Sequence, residues 1–358
     1  MHLTAWPIIT DDDIEGMVNV ARSGVFTKGP CAQQLASSFA EFVSAAHCQT
    51  VSSCTHAIHL ALVAAGIGPG DEVLVPDLTY VGSVSPIVNA GATPVFVDVD
   101  PDSFNLSIDD ALSKVTPATR AILPVHLHGY PCDIEQIRER LPRLVIVEDA
   151  CQAHGAARDG KFAGTIGDIG CFSLNQVKPL CGGQGGLIVT NDPELWTRVQ
   201  RLASPGKDDT VGLSYEITEA SAALALSQLA RLDDTIAIAD RNYRAFRSAL
   251  RDDLRAAAPV TEEGVVAVWH KLRLKLGRVT LEKATGLLEE RGVPYETWPG
   301  SLVSQRSEYR AQYASKARTP VAESILRETI VLGSERFPFH AQSLSTIQTW
   351  ADLLNHAF

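Results

Sequence analysis

Between about residues 50 and 190, short unbroken apolar runs alternate with stretches of helical spacing, and this alternation constrains the fold most. The runs at 72–76, 93–99, 120–125 and 144–147 are rich in Val, Ile and Leu and contain no regular polar alternation. A strand with one face in water would alternate; an unbroken run suits a strand covered on both faces of a parallel sheet. Helical patterns at 55–66, 108–115 and 133–140 lie between the runs, the first closed by Gly66. Repeated strand and helix units of this kind predict an α/β fold with right-handed crossovers. Two further runs, 169–174 and 186–190, are separated only by a glycine-rich turn.

From Thr218 to about Leu250 the spacing predicts one long connecting helix, broken near Thr235. Beyond it, 264–276 reads as extended, 280–291 as a helix and 343–357 as a closing helix. The expected division is a large domain over 1–235 and a smaller C-terminal α+β domain over 236–358, with the N-terminal segment free to pack on the smaller one. A chain of 358 residues suits two such domains. With 45% hydrophobic and 20% charged residues, the composition excludes a disordered chain. A net charge of −11 argues against a nucleic-acid partner. No apolar run approaches the ~18 residues of a membrane span, and the N-terminus lacks the order of a signal peptide. The expected location is therefore cytoplasmic, with no membrane partner. Seven cysteines, an odd number with no C-x-x-C pair, predict reduced thiols rather than a disulfide framework or zinc site. The pairs His56 with His59 and His126 with His128 lack a third ligand at suitable spacing, so no metal site is expected.

Four candidate groups fall at strand ends, where open α/β sheets gather ligands. Asp149 directly follows the run 144–147; it either caps or pairs with the next helix, or meets a ligand cation such as a protonated pyridine nitrogen. Ser53-Cys54-Thr55 precedes a helix and either caps it or binds phosphate through the free N–H groups there. Lys178 follows a strand and precedes Gly182-Gly183-Gln184-Gly185-Gly186; it is either a solvated loop lysine or a desolvated Schiff-base nucleophile. Tyr80 is either a core residue or a ring that stacks on a flat ligand. A phosphate cradle, a stacking ring, a carboxylate and an amine together describe pyridoxal 5′-phosphate, and the conjunction is far more specific than any member.

With these motifs in place, the chain resembles the DegT/StrS family of sugar and aminocyclitol aminotransferases. The resemblance runs from about Phe26 to Leu229 and more weakly to the C-terminus, with matching stretches at 51–62, 68–76, 90–98, 124–129, 147–155 and 164–191. It implies fold type I: a mostly parallel central sheet flanked by helices, plus a smaller C-terminal domain. It also implies pyridoxal phosphate as cofactor and a homodimer with shared active sites. By motif, Lys178 resembles the family's Schiff-base lysine and Asp149 its pyridine-nitrogen carboxylate. Gln152 matches the glutamine beside the ring hydroxyl. Cys54, Thr55 and Ser173 fall at phosphate-contacting positions, with Cys54 where glycine is usual, and Tyr80 matches the stacking aromatic. Relatives with histidine in place of this lysine act as dehydratases, so Lys178 favours transamination.

The departures bear on substrate. In Gly212-Leu213-Ser214-Tyr215-Glu216, Ser214 replaces an asparagine that reaches the partner subunit's cofactor phosphate and either binds that phosphate over a shorter reach or not at all, and Glu216 reverses the charge at a position often basic. The segment between Leu202 and Gly212 is shorter than usual, and Gln184 replaces a common glutamate. Gln176, two residues before Lys178, and the early Trp6-Pro7 resemble members acting on cyclitols such as scyllo-inosose. His128 stands where the family often has tyrosine; it either contacts substrate or is packed. The expected activity is transfer of an amino group from glutamate or glutamine to a keto-cyclitol or keto-sugar, in antibiotic or amino-sugar biosynthesis. A nucleotide-diphosphate keto-sugar is the alternative acceptor. A non-catalytic cofactor-binding regulator, or a dehydration reaction on the same cofactor, are the other readings.

Overall fold

The computed structural model describes residues 2–203, 212–277, 279–298, 301–309 and 317–357, and in it the apolar runs become the interior of one seven-stranded sheet. Its strands are β1 (His47–Val51), β2 (Glu72–Pro76), β3 (Thr93–Val97), β4 (Thr119–Ile122), β5 (Val145–Asp149), β8 (Ile169–Ser173) and β9 (Gly186–Thr190). Two short strands, β6 (Ala157–Arg158) and β7 (Lys161–Phe162), form a hairpin between β5 and β8. The sheet order is β1-β9-β8-β5-β4-β2-β3. From β8 to β3 every pairing is parallel, while β9 runs against both of its neighbours. Alternate residues of one strand enter different cores: Val73 and Val75 join one cluster and Leu74 another, and all three are wholly buried. Both sheet faces are thus covered, which explains why the runs lack polar alternation. The edge strand β1 was invisible as a run because it carries His47, Gln49 and Thr50.

Four helices in the first part of the chain are α1 (Asp11–Ser23), α2 (Pro30–Phe42), α3 (Cys54–Ala64) and α4 (Val81–Asn89). The expected long helix is divided earlier than the spacing suggests, into Glu219–Leu229 and Leu232–Ala249. Arg231, at φ −124° and ψ 16°, lies at the step. Its guanidinium is held by the buried Asp13 carboxylate of α1 at 2.5 Å and by the Ile8 carbonyl, so a tertiary ion pair sets the break. Thr235 is inside the second helix.

The expected extended segment 264–276 is two strands, β10 (Val265–Val266) and β11 (Leu272–Lys275), which serve different sheets. Buried Trp269 separates them at a left-handed φ of 43°, stacked on Tyr243 at 3.9 Å. β11 forms an antiparallel sheet with β13 (Thr329–Leu332) and β12 (Tyr295–Glu296), in the order β11-β13-β12. Its core includes Phe246, Leu274, Phe339 and Trp350. The expected division at 235/236 falls inside the helix Leu232–Ala249: Leu232 packs with the main-sheet core, and Ala239, Tyr243 and Phe246 with the second.

Buried carboxylates tie the two parts. Asp77 accepts from the Ser304 N–H (2.8 Å) and hydroxyl (2.6 Å) and from the Thr319 hydroxyl (2.8 Å). Asp98 accepts from the N–H groups of Val321 and Ala322, at the start of the helix Pro320–Glu328. The N-terminal segment packs on the C-terminal part through Thr4 with Gln342 and the Trp6 N–H with the Arg336 carbonyl. All seven cysteine thiols are free. Among the described residues no helix is long and apolar enough to cross a membrane.

Two stability predictions follow from buried polar groups. Buried Glu219 accepts from the N–H groups of Gly29, Cys31 and Ala32 and so caps α2, whose own N-cap residue is a glycine. Glu219→Ala orphans these donors, and urea unfolding should register a loss of about 2–3 kcal/mol. Four buried histidines form the second case. Burial first, then nearby positive charge, holds His128 and His270 well below their ordinary value and His154 at about 3; burial alone brings His340 to about 4. All four stay neutral in the fold, whereas an unfolded histidine takes a proton near pH ~6.5. Their contribution is present above that pH and lost as pH falls toward the folded values. Unfolding free energy should fall by up to about 1.4 kcal/mol per pH unit per histidine in this window, with a shallower slope in His340→Gln. A flat profile would contradict this account.

Candidate active site

The carboxyl ends of β2, β5 and β8 and the starts of α3 and α4 surround a cavity of about 690 Å³. Asp149, the last residue of β5, lines it and is 2% exposed. One carboxylate oxygen accepts from the Ser83 hydroxyl at 2.7 Å, the other from the Cys151 N–H at 3.1 Å. Among the described residues no cationic side chain pairs with it. A buried carboxylate without a countercharge is costly, so the site calls for a cation from a ligand. Burial, and then the Asp149 charge, push the Cys171 thiol well up. The Cys151 hydrogen bond, burial and Asp149 do the same to Cys54, so both remain neutral packing groups.

Ser53 is the N-cap of α3, and its hydroxyl accepts from the His56 N–H at 3.1 Å. The next two N–H groups, of Cys54 and Thr55, have no partner within the helix and suit an anion. Gly186 on β9 permits the close approach that shapes this corner, since a Cβ there would lie 2.5 Å from the Ser53 carbonyl carbon and 2.7 Å from the Cys54 nitrogen. The Thr55 and Ser173 side chains line the same cavity, Ser173 from the end of β8. Tyr80, the N-cap residue of α4, also lines it and is 67% exposed, so it is not a core residue.

Half-buried Lys178 lies in the turn after β8, its N–H donating to the Asn175 carbonyl. The Trp6 indole N–H donates to the Lys178 carbonyl at 3.1 Å. Among the described residues no carboxylate pairs with the Lys178 amine, whose charge helps hold His128, His154 and His270 neutral. The Gln152 side-chain oxygen accepts from the His128 N–H at 2.7 Å, which leaves its NH₂ for a ligand acceptor. His128 adopts a left-handed φ of 60°, and its ring stacks on Trp298 at 5.0 Å. Exposed Gln176 lines the cavity too.

Ser214 and Glu216 do not line this cavity. Ser214 is exposed, and Glu216 pairs with Lys28 at 2.7 Å. The shortened segment after Leu202 includes 204–211, which lie outside the described residues. Sequence reasoning missed Ser83, whose signal was its position four residues beyond Thr79, to which it bonds at 2.9 Å. It also missed Lys271, Glu296 and Trp298, which reach the cavity from the second sheet and its flank. No local signal marks these three. Among the described residues no group of three His, Cys, Asp or Glu side chains is arranged to hold a metal ion.

These residues fit pyridoxal phosphate. The orphan N–H groups of α3 with Thr55 and Ser173 suit its phosphate, Asp149 its ring nitrogen, the Gln152 amide its ring hydroxyl, and Lys178 its carbonyl.

The family model described as the DegT/DnrJ/EryC1/StrS aminotransferase family matches residues 7–337. GDP-perosamine synthase of Escherichia coli O157:H7 is 42% identical over 221 residues, covering 59% of this chain and 61% of the relative. L-glutamine:2-deoxy-scyllo-inosose aminotransferase of Streptomyces kanamyceticus is 36% identical over 273 residues, covering 69% and 64%. These matches span less than two thirds of the relatives' own lengths. The crystal structure of DesV from S. venezuelae superposes with a TM-score of 0.90 at 31% identity, covering 98% of each chain. Sequence and fold agree that the chain belongs to the DegT/DnrJ/EryC1/StrS aminotransferase family, fold type I, whose cofactor is pyridoxal 5′-phosphate.

Proposed function

We propose that this chain is an aminotransferase that moves an amino group from glutamate or glutamine to a keto-sugar or keto-cyclitol. One observation carries the reading: among the described residues, a buried carboxylate without a cation and a lysine without a carboxylate line a single cavity. When bound, the cofactor supplies an electrophilic carbon for amines and a ring that accepts electrons from the neighbouring bond. Asp149 keeps a proton on the ring nitrogen, because among the described residues its carboxylate meets only neutral donors, the Ser83 hydroxyl, the Cys151 N–H and the Cys54 thiol. Lys178 first holds the cofactor through its amine. With the cofactor bound, the same amine would serve as general base and then acid, moving a proton at the substrate carbon. The α3 N–H groups with Thr55 and Ser173 anchor the phosphate end, Gln152 orients the ring, and Tyr80 covers one ring face.

For the acceptor, a keto-cyclitol or simple keto-sugar is the preferred class. Gln176 lines the cavity, and among the described residues the only Lys or Arg side chains lining it are Lys178 and Lys271, a poor match to a diphosphate. Glu216, held by Lys28, adds no positive charge. Similarity to GDP-perosamine synthase supports the second reading, a nucleotide-diphosphate keto-sugar. A homodimer belongs to the proposal: Ser214, exposed and outside its own cavity, serves the site of a second copy.

The test is a panel of keto-cyclitols and keto-sugar nucleotides with both donors, read by product mass and by donor-driven conversion of the cofactor to its amine form. Wild type should convert with glutamate or glutamine. Lys178→Ala should lose conversion by about 10²- to 10⁴-fold or more, and Asp149→Asn by at least about a hundredfold, while phosphate-end binding of the cofactor persists. Unchanged conversion in Lys178→Ala would overturn the mechanism.

A further inference from the structure

An aminotransferase with one active-site cavity must take two unlike molecules in turn: an anionic amino acid, then a polyhydroxy ketone. The α-carboxylate of the donor adjoins its reacting amine and needs a cation when it leaves water. Lys178 is committed to the cofactor, and His128 stays neutral through burial and the positive charges of Arg273, Lys271 and Lys178. Lys271, Lys178 and His128 all line the one cavity.

Lys271 is the remaining lining cation among the described residues. It precedes β11, while Glu296 lies on β12 and pairs in register with Val331 of β13, another lining residue. Lys271 and Glu296 form an ion pair with each other, each side chain 24% exposed. Half-buried, the pair is sheltered enough to matter yet open to an incoming ligand.

We propose that Lys271 is the specificity residue for the carboxylate of the amino donor and that Glu296 is its exchangeable counter-ion, a proposal that rests on the aminotransferase reading. With the pair closed, this wall, which also carries Glu335, offers no free positive charge and suits a polyol ketone, whose hydroxyls donate to Glu296. When the donor enters, its carboxylate takes the place of Glu296 on the Lys271 amine, and Glu296 turns to solvent. No bond is made or broken in this exchange. The device gives one wall two complementary states without a second site.

The experiment uses holoenzyme of wild type, Lys271→Gln, Lys271→Arg and Glu296→Gln. Glutarate, which has carboxylates but no amine to react, is titrated calorimetrically, and the donor and acceptor half-reactions are followed separately. Lys271→Gln should weaken glutarate binding and raise the donor KM by about tenfold to a hundredfold, with a much smaller effect on acceptor KM. Lys271→Arg should restore most of the donor binding. Glu296→Gln should tighten glutarate, because the competing carboxylate is gone. If wild type binds glutarate but neither donor drives conversion, the aminotransferase reading falls and the carboxylate site stands. If wild type converts, yet does not bind glutarate or Lys271→Gln keeps donor KM within about twofold, the Lys271 assignment falls alone.

Discussion

The adjacent carboxylates of Glu148 and Asp149 show how this fold reserves a charge for a ligand. They end one buried strand and point to opposite faces, as successive strand residues must. Glu148 is fully satisfied by the protein: it accepts from the N–H groups of Gly164, Ile166 and Gly167 and from the His126 ring. His126 accepts the Cys132 N–H at its other nitrogen, so the proton sits on the side facing Glu148. Asp149 receives the Ser83 hydroxyl, the Cys151 N–H and a long contact from the Cys54 thiol, all of them neutral donors. Two equally buried acids in one strand thus differ in what they lack, and Asp149 lacks a cation. The packing of the main sheet holds that unmet charge in the wall of the cavity.

The remainder of the site is arranged around that strand end. Parallel neighbours bring their carboxyl ends to one edge, so Ser173 of β8 and the loop after β2 arrive beside Asp149. The reversed strand β9 carries Gly186 past the start of α3, where any side chain would push the helix away. The far wall comes from the second sheet. Its position depends on buried Asp77 and Asp98, which hold the C-terminal chain against the ends of β2 and β3 through directional hydrogen bonds.

Much of the main sheet was legible because burial on both faces writes an unbroken apolar signature into the chain. Asp149 and Lys178 were singled out because each follows such a run, and Ser53 to Thr55 because small hydroxyl residues there precede a helical pattern. Strand β1 was not, since an edge strand tolerates His47, Gln49 and Thr50. The helix break was misplaced by a few residues because the Arg231 pair with Asp13 joins positions far apart in sequence. The segment 264–276 was read as one strand because nothing local announces that Trp269 turns the chain at a positive φ to stack on Tyr243.

The sequence by itself determined the α/β class, the places along the chain of the main strands other than β1, and the candidate groups at their ends. These follow from periodicity and from neighbours within a few residues. Only the tertiary structure decided which of those groups share a cavity. It left Ser214 and Glu216 out of the lining and brought Ser83, Lys271, Glu296 and Trp298 in. Helical and strand periods describe contacts up to about four residues apart. The pairing of Lys271 with Glu296, and the place of both in the cavity that Lys178 also lines, depend on how two sheets pack, and that is set by burial and hydrogen bonding across the whole chain.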